Sequence, residues 1–153
     1  MGRLIKNHLA RLIILTAATY QIAAGLHGYF WPKIFWDTWT KSLDQAVKPV
    51  PALQTLNLLM GIIGVCWEYP LPLFIPNTSL HRSIAARLTI YPLSVLCAAL
   101  LYQGTNAAIY YLVGILIYFW AYSDGEIVCM PWKVPERPRP RQRPPPNIEK
   151  EKF

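Results

Sequence analysis

The chain has 153 residues, of which 54% are hydrophobic and 15% are charged. A soluble domain usually carries about 25% charged residues, so this composition favours a membrane protein over a soluble enzyme or a nucleic-acid-binding domain. The net charge of +7 belongs to the ends and loops, because seven of the fifteen Lys and Arg residues lie in the last 21 positions.

The long uncharged stretches predict membrane-spanning helices, taken here in chain order. A helix rises about 1.5 Å per residue and the bilayer core is about 30 Å thick, so a span needs about 20 apolar residues. The first predicted span covers about 9–30, with Arg11 free to extend toward the headgroups. The second covers about 50–69 and is bounded by prolines, among them Pro51 and Pro70.

The next uncharged stretch, 88–123, is too long for one span. Its 36 residues would extend about 54 Å as a single helix. The turn-forming residues 103–106 divide it, so we predict a third span over about 83–102 and a fourth over about 107–122. The predicted fold is therefore an all-α bundle of four transmembrane helices, formed by residues 1–130.

Loop charges orient this bundle with both termini in the cytosol. In that orientation twelve Lys and Arg residues are cytosolic, and three, Lys33, Lys41 and Lys48, lie outside. The excess of positive charge on the cytosolic side is the pattern of membrane proteins in general.

The first external loop is rich in aromatic residues. Trp31, Phe35 and Trp39 recur every four residues, which predicts a short amphipathic helix in the membrane interface. Two interpretations stay open for this loop: an aromatic belt at headgroup depth, or a docking surface for a partner.

Three spans carry stripes of small and polar residues, the types that allow helices to approach closely in lipid. Span one has Ala17, Gln21, Ala24 and Gly28; span two has Gln54, Asn57, Gly61 and Gly64; span four has Tyr110, Gly114, Tyr118 and Tyr122. These stripes either hold the bundle together or, for span four above all, bind a larger membrane subunit.

Catalytic groups are sparse in the predicted spans. His27 lies about one turn from the end of span one, whereas His8 and His81 lie in cytosolic segments, which disfavours a haem held by two histidines. Glu68 lies at the cytosolic end of span two and is predicted to form an ion pair with Arg87. We predict no catalytic residue, no metal ligand and no cofactor site in this chain.

Residues 131–153 form a tail rich in proline and arginine, which predicts a disordered cytosolic segment with polyproline II character. Pro135 and Pro138 make a minimal PxxP motif, and Arg139 follows it, so SH3-type docking is one interpretation. A solvated tail attracted to lipid is the other. Cys129, just after the last span, is a candidate for palmitoylation.

Several stretches resemble the small membrane subunit of NADPH oxidases, the flavocytochrome b light chain family, and in particular its fungal NoxD-type members. The stretches are HLARLIILTAATYQIAAGLHGYFWPKIFWD, VKPVP, SLHRSIAARL, LLYQGTN and YFWAYSDGEIVC, so the likeness covers residues 1 to about 133. Four features resemble the animal subunit: the Glu68-Tyr69-Pro70 run, Arg87, Tyr118 and the Gly125-Glu126 pair. The loop before Arg87 is shorter and less basic than in the animal subunit, and the tail lacks its tandem proline motif.

The resemblance implies a non-catalytic accessory subunit that stabilises, matures and localises a catalytic oxidase in the endoplasmic reticulum and plasma membrane. Haem, FAD and NADPH would belong to the larger subunit, and superoxide for signalling and fungal development would be its product. We expect these residues to contact that partner: Glu68, Arg87, Tyr110, Gly114, Tyr118 and Tyr122.

Two alternatives remain open. The first is a small membrane enzyme or lipid-binding tetraspan, which would place Glu68, His27 and tyrosines around a central cavity. The second is a membrane scaffold that acts through its proline-rich tail.

Overall fold

The computed structural model describes residues 5–35, 41–48, 50–69 and 79–126. Within these residues the secondary structure is helical, apart from one isolated antiparallel bridge. The α-helices are α1 (Lys6–Phe30), α2 (Ala52–Glu68), α3 (Ser79–Arg82), α4 (Ile84–Leu100) and α5 (Thr105–Ser123), with 3₁₀ turns at Lys41–Ala46 and Tyr102–Gly104. The predicted all-helical class is confirmed, and the four longer helices begin and end within three residues of the predicted spans.

Two helical segments are long and apolar enough to cross a membrane, namely Lys6–Phe30 and Tyr102–Ser123. Helices α2 and α4 are apolar but have 17 residues each, which gives a length of about 25 Å. They are therefore shorter than the hydrocarbon core of a typical bilayer.

The buried positions of the four longer helices follow a seven-residue repeat with alternating steps of three and four. In α4 they are Ile84, Arg87, Tyr91, Ser94 and Ala98. In α5 they include Ala107, Tyr111, Gly114, Tyr118 and Ala121. This spacing keeps one face of each helix turned to its neighbours in a left-handed bundle. Helix α1 packs along α2 and α5, α4 packs along α5, and α2 and α4 are less closely packed.

The inner faces are rich in small and polar residues, and the outer faces are mainly large and apolar. Leu59, Leu96 and Leu116 are more than half exposed, whereas Gln21, Asn57 and Glu68 are buried. This distribution reverses that of a soluble bundle and suits a hydrocarbon solvent, in which small residues and interhelical hydrogen bonds hold helices together.

Gly61 shows how closely α1 and α2 approach. A Cβ atom at this position would lie 3.0 Å from both the carbonyl oxygen of Ala18 and the amide nitrogen of Ile22. Because these are backbone atoms, they have little freedom to move away, and the contact requires glycine.

The C-terminus of α5 is closed by Gly125, whose φ of 67° lies in the left-handed region. The amide of Glu126 donates to the carbonyl of Ala121 and that of Gly125 to the carbonyl of Tyr122, which is the Schellman pattern. This turn directs Glu126 back toward the N-terminus of α1.

At the opposite end of the bundle the first loop is joined to the α4–α5 connection. Ile34 forms the antiparallel bridge with Leu101, the amide of Tyr102 donates to the carbonyl of Lys33, and Gln103 Nε2 donates to the carbonyl of Trp31. The predicted amphipathic helix is therefore wrong at its start, because residues 31–34 run in a non-helical conformation set by this pairing. Its continuation, 36–40, lies outside the described residues.

Candidate functional site

The most unusual feature of the interior is a carboxylate shared by all four long helices. Glu68 of α2 is fully buried and contacts Arg11 of α1, Arg87 and Tyr91 of α4, and Tyr118 of α5. We call these five residues the charged cluster. An ion that is removed from water needs both an opposite charge and hydrogen bonds, and this cluster supplies both.

The hydrogen bonds are divided evenly between the two carboxylate oxygens of Glu68. Oε1 accepts from Arg87 Nε at 3.0 Å and from the Tyr91 hydroxyl. Oε2 accepts from Tyr118 Oη at 2.8 Å and from Arg11 Nε at 3.3 Å. A carboxylate has about four lone-pair positions, so these four donors saturate it. The arrangement suits a structural role better than that of a general base, which needs a lone pair open to substrate.

A second polar group lies deeper in the bundle, and it also connects all four long helices. Gln21 Nε2 donates to Asn57 Oδ1 at 3.1 Å and to the carbonyl of Ser94 at 3.2 Å. The Tyr111 hydroxyl donates to Gln21 Oε1 at 2.9 Å, and Asn57 Nδ2 donates to the carbonyl of Cys97 at 2.8 Å. We call Gln21, Asn57 and Tyr111, with these two carbonyls, the amide layer.

The carbonyl of Cys97 is available to the amide layer because α4 ends three residues later. The last four carbonyls of a helix lack intrahelical partners, and the amide of Leu101 donates to Ala98 rather than to Cys97. Asn57 therefore satisfies an acceptor that the end of α4 leaves open.

A third set of contacts joins the two ends of the described chain. A carboxylate oxygen of Glu126 lies 3.0 Å from the amide nitrogen of Asn7, at the N-terminus of α1. Lys6 forms an ion pair with Asp124 and lies over the ring of Trp120. An acidic group at a helix N-terminus accepts from free amides and complements the helix dipole, so Glu126 takes the part of a capping residue for α1.

Beside the charged cluster, His81 of α3 links two helices. Its Nε2 lies 2.9 Å from the carbonyl of Trp67, to which it donates, and its own carbonyl accepts from Arg87 Nη1 at 2.6 Å. Burial, and next the neighbouring Arg87 guanidinium, lower the pKa of His81. The neutral ring is therefore favoured in the folded protein.

The structure separates the six predicted partner-contact residues into two groups. Glu68 and Arg87 form the predicted ion pair, but both side chains are fully buried. Tyr118 belongs to the same cluster, and Gly114 faces Ile14 of α1. Tyr110 and Tyr122 are exposed. Their roles in partner binding stay predictions.

The stripe predicted for α5 does not form a single face. A step of four residues turns a helix by about 400°, so successive members drift by about 40° around its axis. Over the twelve residues from Tyr110 to Tyr122 the drift reaches about 120°. The buried stripe follows steps of three and four instead, which brings Tyr111 inside and leaves Tyr110 outside, where its ring stacks on Tyr20 with centroids 5.5 Å apart.

Sequence reasoning missed three members of the polar interior. Arg11 turns inward to Glu68 rather than outward to the headgroups, and only 6% of its surface is exposed. Tyr91 lies one turn after Arg87, and Tyr111 lies seven residues before Tyr118. A seven-residue register applied to all four helices together would have placed these residues inside.

His27 lies apart from the charged cluster. It is exposed near the end of α1 that is farther from Arg11, and its ring stacks on Trp31. Among the described residues no group of three His, Cys, Asp or Glu side chains is placed to hold a metal ion. Cys129 and the predicted tail contacts Pro135, Pro138 and Arg139 lie outside the described residues.

Comparison with protein families matches residues 1–126 to a domain of unknown function, DUF7727. Because the match covers most of the chain, the protein belongs to this family. Comparison with curated proteins and with solved structures gives no match.

Proposed function

We propose that this member of the DUF7727 family is a four-span membrane protein that acts as a non-catalytic accessory subunit of an NADPH oxidase. In this proposal it stabilises, matures and localises the catalytic subunit in the endoplasmic reticulum and plasma membrane. The haem, FAD and NADPH of the superoxide-forming reaction are carried by that larger subunit.

The two polar groups support four spans rather than two. Each contains at least one contribution from every long helix. The charged cluster includes Arg11, Glu68, Arg87 and Tyr118, and the amide layer lies about ten residues farther along α1. Helices bonded at two levels run side by side over the same depth. If α1 and α5 cross the bilayer, α2 and α4 lie beside them, and loop residues at their ends complete the crossing.

The orientation follows from the loop charges. Lys6, Arg11, Arg82 and Arg87 lie at the end of the bundle that carries Glu68, while Lys33 lies at the other end. The positive end of a bundle faces the cytosol. The N-terminus, the α2–α4 connection and the chain after α5 are therefore cytosolic in this proposal.

The observation that carries the accessory role is the saturation of Glu68. Its four hydrogen bonds tie four helices together and leave no lone pair for a substrate. The outer faces present large apolar side chains, the type that packs against lipid or against another membrane protein. Such a molecule is suited to binding a partner rather than to chemistry of its own.

The exposed surface of α5, on both sides of its buried stripe, is our candidate for the contact with the catalytic subunit. Several of its outward side chains are large and aromatic, and two of them, Tyr110 and Tyr122, belong to the stripe predicted from the four-residue spacing in span four. The exposed aromatic residues are Tyr110, Phe119, Trp120 and Tyr122. Aromatic side chains contribute a large contact area and are enriched at the energetic centres of interfaces.

Co-purification tests the proposal. The tagged full-length protein is extracted with mild detergent from membranes that contain the oxidase, and the absorption spectrum of the eluate is recorded. We expect a haem spectrum, and deletion of the protein is expected to lower superoxide output. Repeated eluates without haem, from membranes in which the oxidase is detected, would overturn the proposal.

A pair of variants makes the test specific to α5. The double substitution Tyr110→Ala with Tyr122→Ala removes exposed rings, whereas Leu59→Ala removes a similarly exposed side chain from α2. We expect the α5 variant to lose most of the co-purifying haem and the α2 variant to retain it. Equal retention by both would exclude Tyr110 and Tyr122 as contacts with the catalytic subunit.

A small membrane enzyme is the second candidate, favoured by the convergence of Glu68, Tyr91 and Tyr118 in one buried cluster. Buried ionisable groups within a membrane bundle are often functional. Turnover of a lipid substrate by the isolated protein, abolished by Glu68→Gln in a variant that still folds, would favour this candidate over the accessory role.

A further inference from the structure

One nitrogen of the Arg87 guanidinium, Nη2, has no hydrogen-bond partner. The Nε of Arg87 donates to Glu68, and its Nη1 donates to the carbonyls of His81 at 2.6 Å and Ser83 at 3.2 Å. Its Nη2 is buried and has no hydrogen-bond acceptor. A buried donor on a charged group without a partner carries a large desolvation penalty, so an acceptor at this place would be bound favourably.

A second unpartnered donor belongs to a neighbouring side chain. The indole Nε1 of Trp67 is also buried without an acceptor, and the guanidinium carbon of Arg87 lies 5.8 Å from the centre of the Trp67 ring. Trp67 as a whole is only partly buried, so this side of the charged cluster reaches the protein surface.

The N-terminus of α4 adds positive potential beside Arg87, and the C-terminus of α2, whose last turn contains Trp67, opposes it in part. Arg87 lies in the first turn of α4, a 17-residue helix whose first turn contains no acidic residue. The first amides of a helix lack intrahelical acceptors, and the helix dipole is positive at this end. Ser83 satisfies one of these amides, that of Ala86, at 3.2 Å.

We propose that Arg87 Nη2 and Trp67 Nε1, at the N-terminus of α4, bind a phosphate group of a phospholipid in the cytosolic leaflet. Phosphate oxygens accept charge-assisted hydrogen bonds from arginine and from helix N-termini. The membrane orientation proposed above places this corner of the bundle at headgroup depth. In this proposal the Trp67 side chain moves to admit the phosphate, and binding does not depend on an oxidase partner.

The indole N–H of Trp67 is the probe for this site. Full-length protein labelled with ¹⁵N at the tryptophan indoles is prepared in uncharged detergent, and its spectrum is recorded with dioctanoyl phosphatidic acid, inorganic phosphate or dioctanoylglycerol. Trp67→Phe identifies the resonance. We expect phosphatidic acid to shift this resonance saturably and to raise the thermal unfolding midpoint, and dioctanoylglycerol to do neither.

The two sources of phosphate are distinguished by the separate additions. A shift with phosphatidic acid alone supports a lipid site. If inorganic phosphate shifts the resonance with the same affinity, the ligand is a free phosphate ion and the lipid assignment is overturned. No shift with either ligand would overturn the site altogether.

Variants of Trp67 give an independent test. Arg87 is not substituted, because it is part of the charged cluster and its replacement is expected to impair folding. Trp67→Phe removes the N–H donor together with the five-membered ring of the indole, and we expect it to lower the affinity for phosphatidic acid about tenfold. The matched control is Trp31→Phe, which makes the same change at an exposed residue at the other end of the bundle. This variant should bind phosphatidic acid as the unmodified protein does. Equal affinity of all three proteins for phosphatidic acid would contradict the lipid site. Because the isolated protein is used, this result does not depend on the outcome of the co-purification test.

Discussion

The charged cluster and the amide layer solve the same problem with different chemistry. Each joins all four long helices through side chains that are buried by the packing of small residues. The charged cluster surrounds an ion, Glu68, which must keep its partners because an uncompensated charge inside the bundle is very unfavourable. The amide layer is neutral, so loss of one bond leaves only a dipole unsatisfied.

This difference has a consequence for the fold. The amide layer adds stability in small increments, whereas the charged cluster makes helix register nearly all-or-none, because a shift of one helix separates a charge from its partners. Four helices that meet at one carboxylate have few alternative arrangements. We infer that the cluster favours a single bundle geometry, and any partner contact on the outer surface depends on that geometry.

The largest contrast is expected from removing the carboxylate charge. Glu68→Gln leaves the buried Arg87 guanidinium without its counter-charge and should lower the free energy of unfolding by about 3–5 kcal/mol. Unfolding of the detergent-solubilised protein, followed by tryptophan fluorescence, measures this. Asp124→Asn removes a carboxylate from a partly exposed pair and should change the value by less than about 1 kcal/mol. Similar losses of unfolding free energy for the two substitutions would contradict the idea that burial makes Glu68 the more stabilising carboxylate.

A smaller loss is expected from the centre of the amide layer. Gln21→Leu removes three interhelical hydrogen bonds, which in membrane proteins average about 0.6 kcal/mol each, so the expected loss is about 2 kcal/mol. The same unfolding measurement applies. A loss as large as that of Glu68→Gln would contradict the distinction between the charged and neutral groups.

Two single-hydroxyl deletions compare the groups directly. Tyr118→Phe removes a hydrogen bond to a carboxylate, and Tyr111→Phe removes one to a neutral amide. Charge-assisted hydrogen bonds are roughly twice as strong as neutral ones, so we expect losses of about 1 and about 0.6 kcal/mol respectively. Both rings keep their packing, which makes the two variants controls for each other. The reverse order would disprove this assignment.

The smallest effect is expected from pH, through His81 beside the charged cluster. Because the folded protein lowers the pKa of His81, the unfolded chain binds its proton more readily. The contribution of neutral His81 to the free energy of unfolding is fully present above a pH of about 6.5, and it is lost as the pH falls through the pKa of His81 in the folded protein. Unfolding midpoints measured from pH 8 to pH 5 should decline less steeply in His81→Asn than in the unmodified protein, with His8→Asn as the control. Parallel profiles for all three proteins would contradict this role of His81.

The sequence alone determined the helical class and the approximate positions of the four long helices. Uncharged runs of about 20 residues, ended by proline or by turn residues, depend only on composition and local conformational preference, which act without tertiary contacts. The small and polar stripes of the first two spans were also identifiable, and Gln21, Asn57 and Gly61 are all buried in the interface between helices. The ion pair of Glu68 with Arg87 followed from opposite charges at neighbouring span ends.

Only the tertiary structure decided which way each side chain points. Arg11 lies one turn from a helix end and has the length to reach either the headgroups or Glu68, and the rotation of α1 in the bundle selects Glu68. The choice between Tyr110 and Tyr111 likewise depends on a rotation of about 100° around α5, which no local preference sets. Helix rotation is fixed by the simultaneous packing of four seams, and for that physical reason the charged cluster became visible only when the four helices were placed together.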